Sequence, residues 1–291
     1  MDRKLSNFRW GWYVSLLVLF APLSQHYLPW PAQDIALAAE EAERSSVPTS
    51  ESPHRLTATD KRSTIEVPIL AYHHIRPSIP VGSRVERRLT VTVEIFDHQM
   101  KFLYEKGYHI ITFATLVHYL DGADKLPAKP VIITFDDGWE DQFGYALPGL
   151  EKYHYSATFF VVTNFVGCPG FLSWSQLRRL LAEGMEIGSH SRSHPHLDKI
   201  NNPGILWDQI YTSKQILESQ LGAAVDEFAY PYGSYNATTA STVRLAGYQT
   251  ARACCAGRVQ SDAYALRAVM APNDMAKFGK YLDAWSPSRG N

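Results

Sequence analysis

From Val67 onward, short apolar runs alternate with longer segments of helical spacing, and few architectures accommodate that order. Strand-like runs lie at 67–72, 131–135, 157–162, 185–189 and 226–230, with less apolar ones at 109–111 and 248–251. Helical patterns occupy 94–106, 113–121, 144–153, 174–183, 203–221, 236–246 and 274–285. Ser173 with Gln176 three residues on forms a capping-box signature, and Gly107 and Gly184 stand where two of these helices should stop. Strands that alternate with helices pair in parallel, because each helix carries the chain back to the start of the next strand. The expected fold is therefore α/β, a mostly parallel sheet or a barrel.

The ends of the chain read differently. Arg3, Lys4 and Arg9 precede the apolar run Trp10–Leu23, which is short for a membrane span and suits the core of a signal peptide. Ala36-Leu37-Ala38 offers a small-residue cleavage site. Residues 1–38 are thus expected to be a signal peptide or an N-terminal signal anchor. Export follows in either case, to the cell envelope or beyond it, with that anchor as the membrane contact. Residues 39–66 are polar and charged, with too little apolar surface to offset the entropy of ordering them, and read as a flexible linker. The folded domain is expected over 67–285, with a tail at 286–291. A net charge of −1 leaves no basic surface for nucleic acid. Three cysteines, Cys168, Cys254 and Cys255, are too few for a disulfide scaffold and match no zinc-finger spacing.

In parallel α/β architectures the functional groups collect at the carboxyl ends of the strands. Four of those ends are conspicuous here. Tyr72-His73-His74 follows the first strand, Asp136-Asp137-Gly138 the strand "VIITF", His190 to His194 ("HSRSH") the run "MEIGS", and Pro231-Tyr232-Gly233 the run "DEFAY". Each has an ordinary reading on its own. Asp-Asp-Gly and Pro-Tyr-Gly are common turns, a histidine pair is more often surface than ligand, and His73-His74 suits one core and one solvated side chain. On one rim, all of those readings would have to hold independently. One carboxylate with two imidazoles makes a three-ligand set that leaves positions open for water and substrate. A dication also resolves the repulsion between Asp136 and Asp137. A metalloprotease is excluded, because Ser191 stands where that motif needs glutamate and Pro195 pulls His194 out of helical geometry.

These residues resemble the polysaccharide deacetylases, the NodB-homology domain of carbohydrate esterase family four. The family's T-F-D-D-G motif stands here as Thr134 to Gly138, and its H-[ST]-x-x-H motif as His190 to His194. The resemblance covers roughly Val67 to Leu282. It implies a distorted (β/α) barrel with fewer than eight strands, a divalent metal held by Asp137, His190 and His194, and Asp136 as general base. Zinc is the expected ion, and cobalt, nickel, iron or manganese fit the same ligands. It also implies that the backbone N–H of Tyr232 faces the oxyanion, with Pro231 beside it, and that Trp174 and Tyr232 offer faces to sugar rings. Two departures stand out. Ala229 occupies the place of an arginine that orients the base in many members, for which Arg267 is the expected replacement. No histidine follows His196, so the C-terminal general acid of many members is absent, and His73 is the expected substitute unless Asp136 returns the proton.

The wording "ILAYHHI", "FAYPYG" and "LRAV" resembles the subgroup that removes acetyl groups from poly-β-1,6-N-acetylglucosamine, a biofilm exopolysaccharide. An acetylated glycan polymer is then the expected partner, and nothing in the sequence names a protein partner. Peptidoglycan, chitin or an O-acetylated glycan are the competing substrates, and a non-catalytic glycan-binding module on the same fold is the competing class.

Overall fold

The computed structural model describes residues 65–283 apart from 82, 123–124 and 255–256. The signal segment, the linker as far as residue 64 and the tail lie outside the described residues. Eight parallel strands carry the fold: β1 (Ile69–Tyr72), β2 (Pro130–Phe135), β3 (Thr158–Val161), β4 (Glu186–Ser189), β5 (Glu227–Ala229), β6 (Thr250–Ala253), β7 (Leu266–Arg267) and β8 (Val269–Met270). Their order is β7-β6-β5-β4-β3-β2-β1-β8, every neighbouring pair is parallel, and His109–Ile110 adds to the start of β2. Only Ala268 separates β7 from β8. One extended segment therefore pairs with β6 through its first half and with β1 through its second, and nearly closes the sheet into a barrel. The eight strands make seven staves, which agrees with the expected count.

Alternation within the strands builds two apolar layers. Leu70, Tyr72, Val131, Ile133 and Phe135 face the surrounding helices, where Phe96, Met100, Leu103, Leu177, Leu180 and Phe278 meet them. Ile69, Ala71, Ile132, Phe160, Ala229, Leu266 and Ala268 come from strands all round the ring and pack together, so they fill the barrel interior, with Phe113 and Leu116 joining them. Each large apolar side chain so buried contributes about 1.5–3 kcal/mol. The helices start as the sequence prescribes. Thr92, Thr112 and Asn236 cap theirs with side-chain oxygens, and Ser173 and Gln176 form the capping box. No helix among the described residues is long and apolar enough to cross a membrane.

Three features differ from the sequence expectation. Ile65–Glu66, expected in the linker, pairs antiparallel with Val259–Gln260, so ordered backbone begins ahead of Val67. The helices expected over 144–153 and 203–221 each contain a π-helical stretch, at Gln142–Ala146 and Asp208–Thr212. His74–Arg76 and Thr90–Thr92 form a small parallel pair just beyond the carboxyl end of β1, with the short helix Arg84–Leu89 between them.

Candidate active site

The four rim clusters do converge. β2 ends by placing Asp136 in the barrel mouth, 5% exposed, with its N–H donating to the Tyr72 carbonyl at 2.8 Å. Asp137 then turns sharply, at φ 74°, and Gly138 follows at φ 77°. Aspartate tolerates that left-handed region because its short side chain can bond locally, and here the turn aims neighbouring carboxylates at different partners. Six non-glycine residues among those described have positive φ, and Asp137, Ser191, His194 and Tyr232 are four of them. Backbone strain gathers at the site, as it does where structure is held for function.

Asp137 Oδ1 lies 3.6 Å from His190 Nε2 and 3.4 Å from His194 Nε2, and the three donor atoms fall within 4.8 Å of one another. A tetrahedral ion with bonds of about 2.1 Å has donor–donor edges of about 3.4 Å, so the set fits a cation. The surrounding bonds fit as well. His190 Nδ1 is 2.7 Å from the Ala229 carbonyl, which only accepts, so Nδ1 carries the proton and Nε2 keeps its lone pair. Burial lowers the His190 pKa to about 4, against the pull of the aspartates, so the ring is a neutral ligand at neutral pH. Burial also lowers that of His194. The His194 N–H donates to Ser191 Oγ at 3.0 Å, and this local turn replaces a helix between the two histidines. Asp137 Oδ2 accepts from the Trp139 indole at 2.9 Å, which fixes the carboxylate with Oδ1 toward the histidines.

Asp136 faces a different set. Its Oδ1 accepts from Arg252 Nη2, and its Oδ2 lies 3.6 Å from His73 Nε2. Burial pushes its pKa up, but Arg252, His73 and His190 outweigh that and hold it at about 2. Asp136 is therefore ionised throughout the neutral range. His73 and His74 divide as their alternation demands. His74 is buried and bonded to Asp141 at 2.7 Å, while His73 turns to the site with Nδ1 unpartnered.

One assignment needs correction. Arg267 does not meet Asp136. Leu266 and Ala268 point into the barrel, so alternation turns Arg267 outward, where it is exposed. The arginine that does meet Asp136 is Arg252, 2% exposed on β6, with its guanidinium 5.1 Å from the centre of the interior Phe160 ring. The strand expected at 248–251 stops one residue short of Arg252, whereas the observed strand runs over "TARA" and buries this charged side chain. Trp174 opens the helix Trp174–Ala182 and is half-buried, packed in part against the helix-side core. Tyr232 keeps a free face instead. It is 56% exposed, its ring sits 4.5 Å from that of His194, and His196 stacks on it at 3.9 Å. Pro231 is buried beneath it, and Gly233, at φ 67°, lies so close to Cys254 that a Cβ would fall 2.1 Å from that side chain.

The comparisons with known proteins agree with this geometry. The polysaccharide deacetylase family profile matches residues 123–251. The Bacillus subtilis protein YxkH, assigned by name to the polysaccharide deacetylases, is 30% identical over 223 residues, covering 75% of this chain and 77% of that protein. The poly-β-1,6-N-acetyl-D-glucosamine N-deacetylase of Staphylococcus epidermidis is 28% identical over 228 residues, covering 70% of this chain and 78% of its own. Among solved structures, the Streptococcus pyogenes deacetylase PplD, in complex with acetate, superposes with a TM-score of 0.70 at 27% identity, over 77% of this chain and 100% of that one.

Proposed function

The chain belongs to the polysaccharide deacetylase family, and on that premise we propose that it removes N-acetyl groups from an extracellular N-acetylglucosamine polymer, with poly-β-1,6-N-acetylglucosamine as the substrate. The observation that carries the reading is the pairing of an ionised, buried Asp136 with the adjoining Asp137, His190 and His194 set. The linkage rests on the likeness to the staphylococcal relative. The export expected from the N-terminal segment suits a polymer outside the membrane.

Asp137, His190 and His194 would hold the cation, with zinc proposed. A cation held there would supply acidification of a water toward neutral pH and Lewis-acid polarisation of the acetyl carbonyl. Asp136 takes the proton from the water that attacks the acetyl carbon. Arg252 keeps Asp136 charged and fixes its orientation, so a water-facing oxygen is always available as acceptor. The backbone N–H of Tyr232 donates to the oxygen on which negative charge develops. His73, beside Asp136 Oδ2, returns a proton to the departing amine, which otherwise leaves as an unstable anion.

The test is acetate release from β-1,6-linked and β-1,4-linked N-acetylglucosamine oligomers of equal length. The β-1,6 series is expected to react faster. Faster release from the β-1,4 series would move the substrate to chitin or peptidoglycan strands while leaving the chemistry in place.

A further inference from the structure

A cleft of about 590 Å³ adjoins the active site, and the chemistry described above makes no use of it. Trp139 stands at the boundary, since its indole holds Asp137 while its side chain also lines the cleft. Phe171 stacks on its ring and His74 lies tilted against it, each at 4.3 Å between ring centres. Of the other aromatic side chains lining the cleft, Phe143 is half-buried against the core, whereas Tyr145 is 42% exposed and pairs with no ring among the described residues.

The charges in the cleft are unevenly matched. Asp141 accepts from His74 at 2.7 Å and from Arg76 at 3.1 Å, and Arg76 also bonds Glu86 at 2.5 Å. Glu140 differs. Its backbone N–H is taken by the Gly170 carbonyl at 2.9 Å, yet its exposed carboxylate has no ion pair or hydrogen bond among the described residues. A free aromatic face beside an uncompensated carboxylate is a surface for a sugar ring that carries donors, and best for one that carries a positive charge.

We infer that this cleft is a second saccharide subsite, which takes the ring neighbouring the one being deacetylated and prefers a ring that has already become glucosamine. The inference rests on the proposed function. Hydrolysis converts a neutral acetamide into acetate and an amine, and the amine is protonated at neutral pH. Tyr145 supplies the platform and Glu140 the acceptor for that ammonium, so a polymer already opened at one sugar is favoured at the next.

Binding separates this from simple tolerance. Zinc-loaded Asp136→Asn protein, which should hold oligomers uncleaved, is titrated with two β-1,6-linked tetramers, one fully acetylated and one partly deacetylated. The partly deacetylated tetramer is expected to bind about two- to fivefold more tightly at low salt, the range of an exposed ion pair. Adding Glu140→Gln should abolish that difference, and adding Tyr145→Ala should weaken both tetramers alike. Equal binding of the two tetramers, or a preference that survives Glu140→Gln, overturns the subsite. Glu140 bears no side-chain contact that the fold depends on, so Glu140→Gln should fold normally. Wild-type acetate release keeps the two readings apart. Absence of release from every acetylated glucosamine polymer defeats the proposed function, whereas release without a glucosamine preference defeats only the subsite.

Discussion

Asp136→Asn should abolish most acetate release while keeping the folded structure and the cation affinity, at a lower melting temperature because the buried Arg252 loses its counter-charge. Asparagine matches aspartate in shape and still accepts from Arg252 Nη2, but it takes no proton from water at neutral pH. Loss of a positioned general base costs about 10²- to 10⁴-fold in rate. The loss should fall on kcat with KM little changed, because the carboxylate acts on the water and leaves the sugar untouched. The pH profile is informative too. The wild-type Asp136 pKa is held at about 2, so protonation of this residue should not limit the wild-type rate near neutrality. A variant with near wild-type turnover would remove Asp136 from the base role.

The second large effect belongs to Arg252. Arg252→Met leaves a buried carboxylate without its partner, and breaking such a pair costs about 3–5 kcal/mol. The sign of the pH dependence follows from the direction of the shift. In wild type the folded-state pKa of Asp136 is depressed to about 2 from an ordinary 3.8, so its contribution to stability is present above the ordinary value and is lost as pH falls through about 2. In the variant, burial acts with less opposition and the Asp136 pKa rises. The gap in melting temperature between metal-free wild type and variant should therefore be widest near neutral pH and should narrow on acidification. In the loaded enzyme, the acid limb of the rate profile should move to higher pH, which a purely structural arginine would not cause. An unmoved acid limb would show that Arg252 does not control the base.

Much of this site was legible because its chemistry lies in contiguous motifs. Asp136 and Asp137 are neighbours, and His190 and His194 share one loop, so a strand followed by polar residues located both halves of the site. The parallel sheet then had to bring the loops to one rim. Arg252 was hidden for the opposite reason. It is separated from Asp136 by 116 residues, and the two meet only because alternation along β2 and β6 turns both into the barrel mouth. The replacement expected at Arg267 failed on the same alternation, which could not be counted without knowing that Leu266 faces inward. The closing stave escaped notice because each of its halves, Leu266–Arg267 and Val269–Met270, is only two residues long. Periodicity needs longer runs than that.

The proposed chemistry requires one cation shared by two loops. X-ray diffraction from zinc-loaded crystals on either side of the zinc absorption edge tests it directly. One anomalous peak per chain is predicted, centred among Asp137 Oδ1, His190 Nε2 and His194 Nε2. A loaded crystal with no peak there, or with its only strong peak on other residues, would contradict it.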